Sequence, residues 1–260
     1  MVIDLIKESE RFLKSDIEKF RTLNYQALAL ARESGERALE ADVLRNISIG
    51  ERYQQNFDLA RSYALQARHL VASTGDSGAE AEILCGLGRI ELDAKNRDGA
   101  RQYYDEALDI LERSGQTRGK VIALISLGGM AFDDHDFRTA KKYLRAAREI
   151  YEAQGNEEGI AGLQINFSMI AMEYDDQDQA IVEAVSALRT FEKLDQPRNI
   201  IFAEINLGRL MAKLKNVKAS REYLESALKR ATERHYQTLV AEIERELLAL
   251  PEIFPAVTAA

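Results

Sequence analysis

Residues 81–120, AEILCGLGRIELDAKNRDGARQYYDEALDILERSGQTRGK, carry the pattern on which the reading of the fold turns. Leu87 precedes Gly88, Ala100 follows twelve residues later, and Ala107 seven after that. Shifted by forty residues, the sequence superposes on itself. Alanine recurs at Ala27, Ala67, Ala107, Ala147, Ala187 and Ala227, and small residues at Ala60, Ala100, Ala140, Ala180 and Ser220. A second small series, Ser48, Gly88, Gly128, Ser168 and Gly208, follows the large apolar residues Ile47, Leu87, Leu127, Phe167 and Leu207. Asp16, Asn56, Asn96, Asp136, Asp176 and Asn216 form a turn series, and Gly35, Gly75, Gly115 and Gly155 a helix-ending series that lapses at Asp195 and His235. A fixed period of this kind marks a repeat architecture, so the 260 residues count repeats rather than generic domains.

Each unit reads as two helices. Apolar residues recur at helical spacing over Ala41–Tyr53 and its equivalents, with no proline to break them. The Asn/Asp position supplies a turn or cap, because those side chains satisfy free backbone amides and tolerate unusual backbone angles. A second, longer helix runs to the glycine, which suits a left-handed terminal residue. The small residues allow two helices to cross closely: Ala60 and Ala67 share one face of the second helix, opposite Ser48 on the first.

Composition bounds the rest. Cys85 is the one cysteine, so an internal disulfide is excluded and a reducing, cytoplasmic setting is expected. Lys+Arg 35 against Asp+Glu 43 gives −8, the wrong sign for direct nucleic-acid binding, where phosphate neutralisation supplies most non-specific affinity. No apolar run approaches the ~20 residues of a bilayer span, so no membrane partner is expected. The opening residues also lack the basic-then-apolar order of a signal peptide.

The apolar–small pair Leu87-Gly88 with Ala100 and Ala107, repeated at Leu127-Gly128, Ala140 and Ala147, resembles the tetratricopeptide repeat, over about residues 16–250. The period departs from the usual 34. The closing proline is replaced by Ala72, Glu112, Glu152 and Glu192, and the inner-helix aromatic by Glu51, Glu91, Ala131, Ala171 and Met211. Forty-residue variants resemble those of bacterial peptide-sensing regulators, MalT-type regulators and Asn-ladder adaptors. HEAT and armadillo repeats, at ~40–47 residues, are the alternative architecture. The resemblance implies an all-α, right-handed superhelical solenoid of about six hairpins. Its units lie near 1–40, 41–80, 81–120, 121–160, 161–200 and 201–240, with a capping helix over 241–250 and a flexible tail over 251–260. In the cap, Leu247 and Leu248 are expected to face inward. A single solenoid over 1–250 is expected, with no linker dividing it.

The residues offer no catalytic constellation. His69, His135 and His235 sit in different units, and HExxH, CxxC, P-loop and GxSxG patterns are absent. Asp133-Asp134-His135-Asp136 and Asp175-Asp176-Gln177-Asp178 fall where a turn already calls for Asp, so no metal or other cofactor is expected. Cys85 reads as a small buried hydrophobe. No enzyme activity is expected, and no catalytic residue is assigned.

In tetratricopeptide solenoids the first helices line the concave face, so the resemblance implies where a protein or peptide ligand binds. Taken at i, i+3, i+7 and i+10, that face reads Asp42, Arg45, Ile49 and Arg52, then Glu82, Cys85, Arg89 and Leu92. The next units read Ile122, Ile125, Gly129 and Phe132; then Gly162, Ile165, Met169 and Met172; then Phe202, Ile205, Arg209 and Ala212. The early units present charge and the later ones an apolar strip with pliable methionines, fit for an apolar peptide or amphipathic helix. The same strip fits two other roles, core of a tightly curved superhelix or a homodimer contact. Asn46, Asn166 and Asn206 recur beside it; each has a donor and an acceptor for a peptide backbone, or for hydrogen bonds between helices. Arg45, Arg52 and Arg89 fit a ligand carboxylate, with Asp42, Glu82 and Glu91 near enough to compete for them. Two further functions are consistent with the sequence, a sensor module of a signalling regulator and a self-assembling structural protein.

Overall fold

The computed structural model describes residues 1–13, 16–117 and 119–251, and these hold thirteen α-helices and no strand. They are α1 (Val2–Glu10), α2 (Ile17–Ser34), α3 (Arg37–Tyr53), α4 (Phe57–Ala72), α5 (Ser77–Asp93) and α6 (Arg97–Ser114). There follow α7 (Lys120–Asp133), α8 (Phe137–Ala153), α9 (Glu157–Glu173), α10 (Gln177–Lys193), α11 (Pro197–Lys213), α12 (Val217–Glu233) and α13 (Gln237–Ala249). The chain divides into two compact units, one ending at Met130 and the other beginning at Ala131. In the first, α1 packs on α2, α3 on α4 and α5 on α6, and each hairpin contacts the next. In the second the hairpins are α9–α10 and α11–α12, flanked by α8 and α13.

The turns explain the period at the backbone. Within each hairpin the residue before the Asn/Asp takes the left-handed conformation: Gln55, Lys95, His135, Asp175 and Lys215 have φ of 62°, 66°, 59°, 57° and 60°. The Asn/Asp itself has negative φ and does two other things. Its N–H returns to the carbonyl five residues back, as in Asn96 to Glu91 (2.8 Å) and Asp176 to Ala171 (2.9 Å), which closes the first helix. Except at Asn56, its side chain also caps the second helix, Asn96 accepting from Gly99 N–H at 3.1 Å and Asp136 from Thr139 N–H at 3.0 Å. Between hairpins the left-handed series runs through Gly35, Gly75, Gly115 and Gly155 and continues at Asp195 (φ 48°) and His235 (φ 57°), so the backbone keeps the period after glycine lapses.

The small-residue series sit at helix crossings. A Cβ added at Gly88 would lie 2.7 Å from the Tyr104 ring, and at Gly208 2.7 Å from Leu224 Cγ. Where serine stands in either series, its hydroxyl crosses the gap: Ser48, in the glycine series, donates to the Ala60 carbonyl, and Ser220, in the alanine series, to the Gly208 carbonyl, both at 2.8 Å. The alanines at 27, 67, 107, 147, 187 and 227 are all fully buried. A larger side chain at any of them would cost about 1–3 kcal/mol through overpacking.

At the C-terminal end Leu239, Ile243 and Leu247 pack on a cluster containing Ile201, Ile205 and Leu224. Leu248, expected inward, is 85% exposed, because the buried stripe of α13 runs through Leu239 and Ile243 instead. The helix stops where Leu250 turns extended (φ −72°, ψ 140°), as a residue before proline must. Of the expected tail over 251–260, residues 252–260 lie outside the described residues.

Candidate functional site

The first unit turns its charged residues on one another. Arg52 reaches Asp93 at 2.5 Å and stacks over the Tyr53 ring, Arg89 lies 3.8 Å from Asp93, and Arg45 lies 3.8 Å from Asp42. Glu91, expected to compete for these arginines, points the other way. It is 3% exposed, accepts from Arg61 Nε at 2.6 Å, and takes Asn96 Nδ2 at 2.7 Å. Glu51 repeats the arrangement with Arg21 (3.0 and 2.9 Å) and Asn56 (2.8 Å). Burial pushes the Glu91 carboxyl up, but its bonds to Arg61 and Asn96 outweigh this and hold it below the usual carboxylate range. These two glutamates stand where the inner-helix aromatic was missed, and each joins one hairpin to the next.

Asn46, expected on the ligand-facing ladder, is 6% exposed and committed internally. Its Nδ2 donates to Asn24 Oδ1 (2.8 Å) and Ser9 Oγ (3.0 Å), stitching α1, α2 and α3 together. Cys85 is buried, and burial, with Glu82 adding to it, pushes its thiol up to about 12, so it stays protonated. Ile122, 51% exposed, and half-buried Ile125 are the apolar groove candidates of this unit.

In the second unit five of the expected residues come together. Phe132, Met169, Met172, Asn206 and Arg209 line a cavity of about 150 Å³ between α9 and α11, with Ser168 and Leu210 also in its wall. Met169 is 40% exposed, so the apolar wall reaches the surface. Asn206 Nδ2 is buried without a hydrogen-bond partner. A stranded amide of this kind costs about 1–3 kcal/mol until an acceptor reaches it. Asn166 donates within its own helix, to the Gly162 carbonyl at 3.4 Å. Phe202, on the same helix as Asn206, is 40% exposed, with the Arg198 guanidinium 5.7 Å from its ring centre.

Two expected groove residues have other duties. Ile205 is 2% exposed and belongs to the core that α12 and α13 build over α11, so it presents nothing to a ligand. Arg209 is held by α13 through Glu242 (2.7 Å) and Glu246. Half-buried Ile165 packs against the cluster of Ala161, Ala187 and Phe191. Glu204 is a buried carboxylate that periodicity did not single out. Burial raises its pKa, and its bonds from Ser226 (2.6 Å) and Arg230 (3.1 Å) only partly offset this. The same pair of positions is bonded forty residues earlier in the opposite sense, Gln164 donating to Ser186 where Glu204 accepts from Ser226.

Among the described residues no group of three or more His, Cys, Asp or Glu side chains is placed to hold a metal ion. No described helix is long and apolar enough to cross a membrane.

Two-helix units on a forty-residue period, crossing at small residues and closed by repeated turns, define a helical-hairpin repeat protein. The family model for the tetratricopeptide repeat matches residues 39–113 and 79–153, so tetratricopeptide repeats run through residues 39–153. No curated protein sequence matches it. Among solved structures, BtubC (BKLC) from P. vanneervenii superposes with a TM-score of 0.66 at 17% identity, over 100% of this chain and 96% of that one. A signal transduction ATPase with a tetratricopeptide repeat sensor, PH0952 from Pyrococcus horikoshii, gives a TM-score of 0.71 at 16% identity, over 94% of this chain and 37% of that one. NprR in complex with its cognate peptide NprX gives 0.66 at 11% identity, over 94% of this chain and 72% of that one. At these identities the likeness is one of fold.

Proposed function

We propose that the chain is a binding module, not an enzyme, and that it holds an apolar peptide segment on the first-helix face of its second unit. The observation that carries this is the stranded Nδ2 of Asn206 in the wall shared by Phe132, Met169 and Met172. A peptide carbonyl would satisfy that donor, and methionines adapt to apolar side chains of varied shape. Exposed Met169 and Phe202 offer the apolar surface beside it. The peptide-bound NprR structure supports the reading at the level of fold. A second reading, in which peptide binding serves a sensor within a signalling protein, draws support from the sensor role named for the PH0952 repeats.

The test is to pan a random heptapeptide display library on the immobilised chain, with Phe132→Ser/Met169→Ser as the counter-target. Enrichment of apolar peptides on the parent, lost on a variant that still melts cooperatively, supports the groove. Absence of enrichment contradicts it. Loss of the variant's thermal transition assigns the strip to the core and contradicts it too.

A further inference from the structure

A different face of the second unit carries a charge pattern at odds with the acidic chain. On α8, Arg138, Lys141, Lys142, Arg145 and Arg148 fall at i, i+3, i+4, i+7 and i+10, and so form one stripe about 15 Å long. They border a cavity of about 1200 Å³ whose floor includes Phe167, Ile170 and Ala171, with Tyr174 at its edge. Arg148 is paired with Glu152 at 2.7 Å. Among the described residues Lys141, Lys142 and Arg145 make no ion pair.

The repeat shows what is missing. In the first unit the basic residue at this position reaches a glutamate thirty residues on, Arg21 to Glu51 and Arg61 to Glu91, and an Asn five beyond the glutamate completes the set. Lys141 keeps the cation, but its thirty-residue partner is Ala171, and the Asn position is Asp176, which can only accept. With alanine at 171 the cation lacks that carboxylate, and Lys141, Ala171 and Asp176 all line the cavity.

We infer that an acidic segment of a partner protein docks along this stripe, with one of its carboxylates taking the place of the absent glutamate beside Lys141. Glu149, Asp176 and Glu183 also line the cavity, so a densely charged phosphate backbone would meet repulsion. The apolar floor and Tyr174 suit a peptide's side chains, and ~15 Å accommodates about four or five extended residues. This site is separate from the first-helix groove and stands whether or not that reading holds.

The test uses a fluorescein-labelled polyglutamate peptide and fluorescence anisotropy at low and high salt, with a DNA duplex as the comparison. The parent is expected to bind the peptide in a salt-sensitive way and to prefer it to the duplex. Charge reversal at exposed Lys142 (Lys142→Glu) should weaken binding by at least about tenfold, since charge-assisted bonds to carboxylates are lost. Ala171→Glu with Asp176→Asn rebuilds the first unit's triad, so Lys141 is occupied internally; binding should fall by a similar factor, with a melting temperature equal to or above the parent's. No binding by the parent, equal preference for the duplex, or unchanged binding in Lys142→Glu overturns the proposal. So does parent-like binding in a folded Ala171→Glu/Asp176→Asn.

Discussion

The two units solve the same packing problem with different polar chemistry. In the first, Glu51 and Glu91 are buried, and each is matched by an arginine from the preceding hairpin and an asparagine from its own turn. In the second, the corresponding position holds Ala131, Ala171 and then Met211, and the turn residue beside Ala171 is Asp176. The asparagines differ in the same sense, Asn46 being saturated by Asn24 and Ser9 while Asn206 is left with a buried donor unused. At these positions the polar groups of the first unit hold hairpins together, whereas in the second the Asn206 amide and Lys141 have no such partner within the chain. Two or three residues per unit thus change the polar chemistry while the turns keep the same left-handed backbone.

The sharpest way to break this contrast is to strand a first-unit glutamate. Arg61→Leu removes the guanidinium from Glu91, whose side chain is 4% exposed, and should cost about 3 kcal/mol in chemical denaturation, as when one member of a buried pair is deleted. The pH dependence sharpens it further. Because the Glu91 pKa is lowered in the fold, its contribution is present above the unfolded value of 4.5 and is lost as pH falls through the lower folded value. Arg61→Leu should flatten that acid-side loss, and an unchanged acid profile would mean the pair is not what stabilises the joint.

Next in size is Asn46→Leu, which leaves Asn24 Oδ1 without its donor and should cost about 2 kcal/mol, read by the same denaturation curves. The smallest effect concerns the carboxylate that titrates in the opposite sense. The Glu204 pKa is raised by burial, so its contribution is full below the unfolded value of 4.5 and is lost as pH rises through the folded value. Glu204→Gln, in which the amide can pair with Ser226 as Gln164 pairs with Ser186, should match the parent below 4.5 and exceed it by about 1 kcal/mol once pH is above the raised folded value, the gap opening between the two. A constant difference across pH would show that ionisation of Glu204 is not involved.

The repeat made the fold legible, because helix crossings at Gly88 and Gly208 and left-handed turns at Gly35 to Gly155 demand particular residues at fixed spacing. It read less well where the demand falls on the backbone alone: Asp195 and His235 hold the same left-handed place as the glycines, and Lys95 or His135 reveal nothing of theirs. The site was legible only as a set of faces. Phe132, Met169, Met172 and Asn206 do converge, since spacing puts them on one side of their helices. Asn46 and Ile205 share that spacing, and their neighbours reassign them. Ser9 on α1 claims the first, and Leu239 and Ile243 on α13 help bury the second. Terminal helices lie outside the repeat, so the period carries no record of what they cover. The α8 stripe was present in the charge order, but its meaning depends on the pairing at Glu51 and Glu91, which only the three-dimensional arrangement displays.

Whether the Asn206 amide is held for a partner rather than for the fold is decided by comparing Asn206→Leu with Asn46→Leu in thermal melts and peptide panning. Asn206→Leu is expected to melt at or above the parent temperature yet no longer enrich apolar peptides, while Asn46→Leu melts lower. If Asn206→Leu is destabilised as much as Asn46→Leu, or enriches peptides as the parent does, the Asn206 amide serves the fold and the division between the two units is contradicted.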